Sequence, residues 1–523
     1  MKNATYFAPE LIRQFSALFL QYVHRDPALR PFIQDWCTEP AWGNAIDTKQ
    51  SVFSNEVRTT LQQVIEKQYV TGNCPLPQTA ALLAQPTTFT VTTGHQLNIF
   101  TGPLYFHYKI ITVINTARRL KAIFPHYNFV PIYWMASEDH DVDEISHFKL
   151  FGKKYSWQSN EKGAVGRFNP QSLIEVARQA PEMHHIFLEA YGNSSTLSEA
   201  TRKIVHYFYG KDGLLVIDGD DATLKRLFLP AFRREIREQV AFQAVQQTTA
   251  RLAALGHKAQ VTPREINLFY LDHQLRERIT IDHQNGERLF RVLNTPIVFN
   301  EAEILEFAEQ YPEKLSPNVI LRPLYQETIL PNLSYTGGPG ELAYWLQLKA
   351  LFDAFQLPMP LLLPRNFALL LNKAHQNRLA KIGFTVADLF ASEAENKQKI
   401  IMREQHYYTH IRQETEAIAQ QFDLIMHKAA QADASLMKMV QAQKVLTQKK
   451  LLHIAGKIRK AQERKHEAAI RQWSWLREEL FPSGGLQERA ENFLTFLLND
   501  MELLDKLKAV FDPFDHRFVV VEL

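Results

Sequence analysis

Five carboxylates and an imidazole crowd into seven consecutive residues, Glu138-Asp139-His140-Asp141-Val142-Asp143-Glu144. Charge this dense costs folding energy unless it is solvated, paired or bound to something. The segment follows an apolar run, Phe129–Ala136, that reads as a buried strand. Ligands of open α/β sheets bind just past the carboxyl ends of strands, so an enzyme is the leading reading. If the chain turns helical after Ser137, His140, Glu144 and His147 share one face, a spacing suited to a divalent metal. If it stays extended, Asp139, Asp141 and Asp143 share a face instead. His140 and Asp141 are therefore candidate catalytic groups, and Asp139, Asp141, Asp143 and Glu144 candidate metal ligands. The plainer reading is a helix start, with Ser137 as cap and Glu138 and Asp139 at the positive end of the dipole. That reading leaves Asp141, Asp143 and Glu144 unexplained.

Two glycine-bearing turns could hold an anion. Thr92-Thr-Gly94-His95-Gln96 closes a strand, and Thr101-Gly102-Pro103 opens a helix carrying His107 and Lys109. Glycine at such a turn lets backbone amides approach a ligand, and the helix N-terminus favours negative charge. Tyr335-Thr-Gly337-Gly338-Pro-Gly-Glu341 precedes a second helix, with Tyr344 and Trp345 near its start. Pro339 removes one amide donor there. Neither turn is a dinucleotide or Walker loop. Arg322 and Gln326 on one side, and Arg365 on the other, are placed to clamp a carboxylate or phosphate. His95 and Glu341 complete the candidate catalytic set.

The elements that must position these groups fall into four stretches. Residues 1–86 read as short helices, around Pro9–Tyr22 and Asn55–Lys67, the latter capped by Ser54. Residues 87–375 alternate strands with helices: Thr88–Thr93, Phe129–Ala136, Leu214–Ile217, Leu268–Leu271, Val319–Leu324 and Met359–Leu363. The intervening amphipathic stretches Tyr105–Leu120 and Glu341–Phe355 argue for a doubly wound parallel α/β core. Asn285-Gly286 between two alternating runs signals an inserted hairpin over Arg278–Val292. Residues 390–480 lack proline, and Val440, Thr447, Leu451, Ile454, Ile458 and Ala461 mark a near-heptad seam. With a break at Ala432–Ser435, this predicts two long antiparallel helices. Residues 481–523 return to the core and end in a strand over Arg517–Leu523.

A chain of 523 residues exceeds one hydrophobic core and predicts two to four units. The net charge of +3 is too small to imply nucleic-acid binding. The two cysteines, Cys37 and Cys74, have no metal-like spacing and fit a reducing cytosol. With no long apolar span, a cytoplasmic protein without a membrane partner is expected.

Taken together, these segments resemble the bacillithiol biosynthesis cysteine-adding enzymes, the BshC family. The resemblance rests on Gly94-His-Gln-Leu-Asn-Ile-Phe-Thr-Gly-Pro-Leu-Tyr105, Trp134-Met-Ala-Ser-Glu-Asp-His-Asp-Val-Asp-Glu-Ile145, Ser316-Pro-Asn-Val-Ile-Leu-Arg-Pro323, Gln326–Pro331, Thr336–Trp345 and Leu480–Arg489. It implies a Rossmann-like core related to class I nucleotidyltransferases and a coiled-coil arm that forms a homodimer. The implied reaction joins the amine of L-cysteine to the malyl carboxylate of glucosaminyl-malate. A carboxylate must be activated before an amine can displace its oxygen, most simply by ATP with Mg²⁺, and a base such as His140 or His95, titrating near neutrality, must take the ammonium proton. The synthetase signatures His-Ile-Gly-His and Lys-Met-Ser-Lys-Ser are absent. A metal-dependent hydrolase built on His140, Asp141 and Glu144, and a non-catalytic coiled-coil scaffold, are the alternatives.

Overall fold

A computed structural model describes residues 4–180, 184–284, 286–402, 412–465 and 467–523. The chain forms two compact units, residues 1–369 with 485–521, and residues 370–484 with the last two residues.

The first unit is built on a five-stranded sheet. In spatial order its strands are Leu361–Pro364, Asn332–Gly337, Thr88–His95, Asn128–Met135 and Leu215–Asp218, each pair parallel. Numbered along the chain, that order is five-four-one-two-three. Strand order therefore reverses between Thr88–His95 and Asn332–Gly337, and this switch point is where an open sheet leaves a crevice. The Tyr105–Ile123 helix packs one face, with all but a few of its side chains buried.

Three of the expected strands join this sheet with ends shifted by a residue or two, and Met359–Leu363 becomes Leu361–Pro364. Val319–Leu324 does not. It forms the first turn of the Leu321–Ile329 helix, because the Asn318 side chain accepts from the amides of Ile320 and Leu321 and Pro323 sits where a missing N–H costs nothing. Its place in the sheet belongs to Asn332–Gly337, a strand too polar to stand out as an apolar run. Its Asn332 accepts from Thr92 Oγ1 at 2.8 Å and donates to Glu327 at 2.6 Å. Glu327 is in turn paired with buried Lys49 at 3.1 Å. A buried polar group with its partners in place carries little desolvation penalty, so this strand occupies the sheet interior.

Leu268–Asp272 is a strand, but in a separate antiparallel sheet with Leu315–Pro317, Leu275–Gln284, Glu287–Val292 and Val298–Asn300. The expected hairpin is its Leu275–Gln284/Glu287–Val292 pair, closed at Gln284↔Glu287. Asn285 lies outside the described residues. The final strand, Phe518–Glu522, pairs antiparallel with Ala4–Phe7. At the N-terminal side, Asn55–Thr71 is capped by Ser54 as expected, whereas Pro9–Tyr22 resolves into a 3-10 turn and the Ala17–Val23 helix.

The second unit is helical. Arg412–Ala432 and Leu436–Lys465 contact each other along their lengths. Lys444 pairs with Asp423 at 2.5 Å, and the two residues lie at similar distances from the break, so the helices run antiparallel. The break is held by Asp433, whose side chain accepts from the Ser435 amide at 2.7 Å. Part of the 390–480 stretch, residues 403–411 and His466, lies outside the described residues. No described helix is long and apolar enough to cross a membrane.

Candidate active site

A cleft of about 820 Å³ opens at the carboxyl edge of the parallel sheet, over the switch point. Both glycine turns reach it. Lys109 Nζ, on the second turn of its helix and nearly fully buried, donates to Glu341 Oε1 at 2.7 Å and to the carbonyl of Gly94. Glu341 also accepts from Tyr335 Oη at 2.6 Å and the Gly338 amide at 3.0 Å. Burial alone would raise its pKa, but Lys109 and these donors hold the carboxyl below its usual range. Burial outweighs Glu341 at Lys109 and lowers the amine.

Beside this pair His95 stacks on Tyr105 with ring centroids 5.0 Å apart. Its Nε2 is buried without a hydrogen-bond partner. Burial first, then the charge of Lys109, lowers its pKa to about 3. The imidazole is therefore neutral throughout the physiological range, and the expectation that it titrates near neutrality is corrected. Arg365 lies 5.3 Å from the Tyr105 ring centre, and Arg489 lies 5.5 Å from it. Arg365 is itself committed, giving Nη2 to buried Glu488 and Nη1 to the Asn366 carbonyl. Arg322 donates to Gln326 at 3.0 Å and Tyr344 Oη at 3.4 Å.

The acidic segment forms the opposite side. Neither of the expected backbone forms is adopted. A single turn, Val142–Ile145, starts only after Asp141, whose side chain caps it by accepting from the Glu144 amide at 3.3 Å. Gln96 donates to Asp139 at 2.9 Å and also to Glu144. Asp139, Glu144, His140 and Glu138 line the cleft; exposed Asp141 and Asp143 do not. Among the described residues no group of three or more His, Cys, Asp or Glu converges on a metal position. The Asp139, Asp141, Asp143 and Glu144 set therefore does not fit a resident metal. Glu138 is drawn to fully buried Lys225, which also holds Asp220 at 3.3 Å. His140 Nδ1 sits 2.8 Å from Arg276 Nη1. Since a guanidinium only donates, that nitrogen accepts and the ring proton lies on Nε2. Burial and then Arg276 lower the His140 pKa.

Several expected site residues serve the scaffold. His107 is buried between Tyr209 Oη at 2.7 Å and Thr101 Oγ1 at 2.9 Å. It fixes a left-handed run through Phe100, Thr101 and Gly102, and a Cβ on Gly102 would lie 2.6 Å from Asn98 Cβ. Gly102 is thus required by the turn and does not line the cleft. Trp345 packs on Tyr335 at 4.5 Å, and Gln326 is fully buried, joining Arg322 to Glu327. The Gly337 carbonyl accepts from the Arg365 amide at 3.0 Å. Conversely, Tyr105, Glu138, Arg264, Arg276, Arg278 and Arg489 line the cleft without having been singled out. Tyr105, Glu138 and Arg489 sit inside the long motifs; the other three lie between the motifs, Arg276 and Arg278 on the Leu275–Gln284 strand and Arg264 before it.

Seven basic side chains and four carboxylates face this cleft, so it favours an anion. Fold and site thus define a Rossmann-like α/β protein with an anion-binding crevice at its switch point. The model of the bacillithiol biosynthesis BshC N-terminal Rossmann-like domain matches residues 7–366, and that of the BshC C-terminal coiled-coil domain matches residues 368–523. The chain belongs to the BshC family. It is 41% identical over 503 residues to a protein of Cytophaga hutchinsonii named "Putative cysteine ligase BshC", covering 96% of this chain and 95% of that one. A protein of the same name from Flavobacterium johnsoniae is 39% identical, covering 97% and 98%. Among solved structures, a Mycobacterium tuberculosis methionyl-tRNA synthetase matches at 11% identity and a TM-score of 0.21, over 80% of this chain and 91% of that one. A TM-score that low bears on neither the fold nor the chemistry.

Proposed function

We propose that this protein is a carbon–nitrogen ligase that joins L-cysteine to glucosaminyl-malate, with ATP activating the malyl carboxylate. The observation that carries the reading is the convergence of the two glycine turns on one net-cationic cleft at the switch point. Its support from relatives is that they are named cysteine ligases. Activation transfers a phosphoryl or adenylyl group from ATP to a malyl oxygen, with ADP or pyrophosphate leaving; the cysteine nitrogen then attacks the acyl carbon and phosphate or AMP leaves with that oxygen. Arg322 and Arg489 face the cleft and orient the malyl carboxylates. His95 Nε2, neutral and unpartnered, accepts an N–H of the attacking amine. Glu341, its oxygens committed to Lys109, Tyr335 and Gly338, holds the two turns together. Mg²⁺ enters with the nucleotide as part of the substrate. No protein thiol takes part: burial raises the Cys37 pKa to about 12 and the Cys74 pKa to about 11.

Dimerisation is assigned to the coiled-coil unit, where the seam residue Ile454 is 46% exposed. The ligase reading is tested by incubating the protein with glucosaminyl-malate, L-cysteine and ATP and measuring both the thiol and the nucleotide product by mass spectrometry. An amide-linked thiol formed only with ATP is expected. Full-rate product without nucleotide would remove the activation step.

A further inference from the structure

The two glycine turns, which by sequence should cradle an anion, are partly taken up by contacts of their own. Glu341 already takes the Gly338 N–H, Pro339 has none, and the carbonyls of Gly94 and Gly337 face Lys109 and the Arg365 amide. A cluster of positive charge stands on the other wall. On the Leu275–Gln284 strand, Arg276 and Arg278 are two residues apart and so share one sheet face. The register sets Arg278 opposite Phe269, and both line the cleft. Arg276 stacks on Phe269, its guanidinium carbon 3.9 Å from the ring centre, and is held by Ser316 Oγ at 3.3 Å. Arg264 joins them from the preceding segment, its backbone fixed from both sides by the Asn267 side chain at 3.1 and 2.7 Å.

This wall gathers three guanidiniums around little counter-charge. Arg276 lies 3.9 Å from Asp139, but among the described residues neither Arg264 nor Arg278 has an ion-pair partner. Lys109 and Arg365 on the opposite side are each neutralised by a carboxylate. Guanidiniums gathered on one wall repel one another, and a multiply charged oxyanion relieves that repulsion while using their forked donors.

We infer that the wall formed by Arg264, Arg276 and Arg278 is the polyphosphate-binding subsite, which places the phosphates of the co-substrate on the antiparallel sheet and leaves the glycine turns to the acyl acceptor. The inference deepens the ligase reading and rests on it for the identity of the phosphate carrier. The same guanidiniums could receive the carboxylates of the malyl group, so the test separates the two sources of oxyanion.

Binding of inorganic tripolyphosphate and, separately, of L-malate is measured by isothermal titration calorimetry on the full-length wild type and on R264A/R278A. Both side chains are solvent-exposed, so the variant is expected to keep the wild-type melting curve. Tripolyphosphate affinity should fall by about tenfold or more in the variant and lose much of its salt dependence. L-Malate affinity should change by less than about threefold, as expected when the contacts removed are not its own. Unchanged tripolyphosphate affinity, no tripolyphosphate binding by the wild type, or a loss confined to L-malate would each overturn the assignment. Ligase product is scored independently in the wild type. Its absence would remove the ligase reading while the tripolyphosphate comparison still decides the subsite.

Discussion

Replacing Lys109 by Met tests whether the buried Lys109–Glu341 pair is what holds the two turns in register. The pair spans 232 residues of sequence at 2.7 Å, with 3% of the lysine side chain and 25% of the glutamate side chain exposed. Removing one partner of a buried pair costs about 3–5 kcal/mol, because the other charge is left uncompensated. Glu341 keeps Tyr335 Oη and the Gly338 amide, which points to the lower end, while the Gly94 carbonyl loses a donor worth about 1 kcal/mol. The expected loss is therefore about 3–4 kcal/mol. In the double variant K109M/E341Q the uncompensated charge is gone, so a double-mutant cycle should return a coupling of at least about 1 kcal/mol. Urea unfolding followed by tryptophan fluorescence reads it. The pH dependence gives a second readout. The Glu341 carboxyl lies below its unfolded value, so the stability it contributes is complete above the ordinary carboxylate range and fades as pH falls through the folded value. Without Lys109 the folded value rises, and the acid loss of stability should begin at higher pH. Additivity within about 0.5 kcal/mol, together with an unmoved acid limb, would refute the role assigned to the pair.

Three further outcomes follow from the same geometry. His95→Phe keeps the ring that stacks on Tyr105 and removes Nε2, which has no structural partner, so turnover should fall sharply with little change in melting temperature; unchanged turnover would take Nε2 out of the chemistry. Asp141→Asn preserves a good cap on an exposed turn outside the cleft, so turnover should stay within about threefold, and loss of activity with intact stability would return Asp141 to the chemistry. Exchanging the seam residues Leu451 and Ile454 for Asp should yield a monomer by light scattering, and an unchanged dimer would place the interface elsewhere.

The sequence alone carried the β-branched run Thr88–His95 and the apolar run Asn128–Met135, because β-propensity and continuous burial leave those signatures in a single segment. It also carried the helical hairpin, through its break at residues 432–435, and the segments that line the cleft, through the two glycine turns and the acidic segment. What it could not carry depended on partners distant in the chain. Asn332–Gly337 lies buried in the sheet because Thr90, Thr92 and Glu327 satisfy Asn332, a condition invisible from the segment itself. The turns do not present an open anion cradle because Lys109 and Glu341 meet across them. His95 stays neutral because burial and cations from separate segments surround it. Arg276 and Arg278 face the cleft because strand register turns them toward it, and Arg264 because the Asn267 side chain holds its backbone. Local pattern determines which segments can be strands, helices and turns; the charge state and free valences of a site are sums over contacts, and only the tertiary structure fixes those.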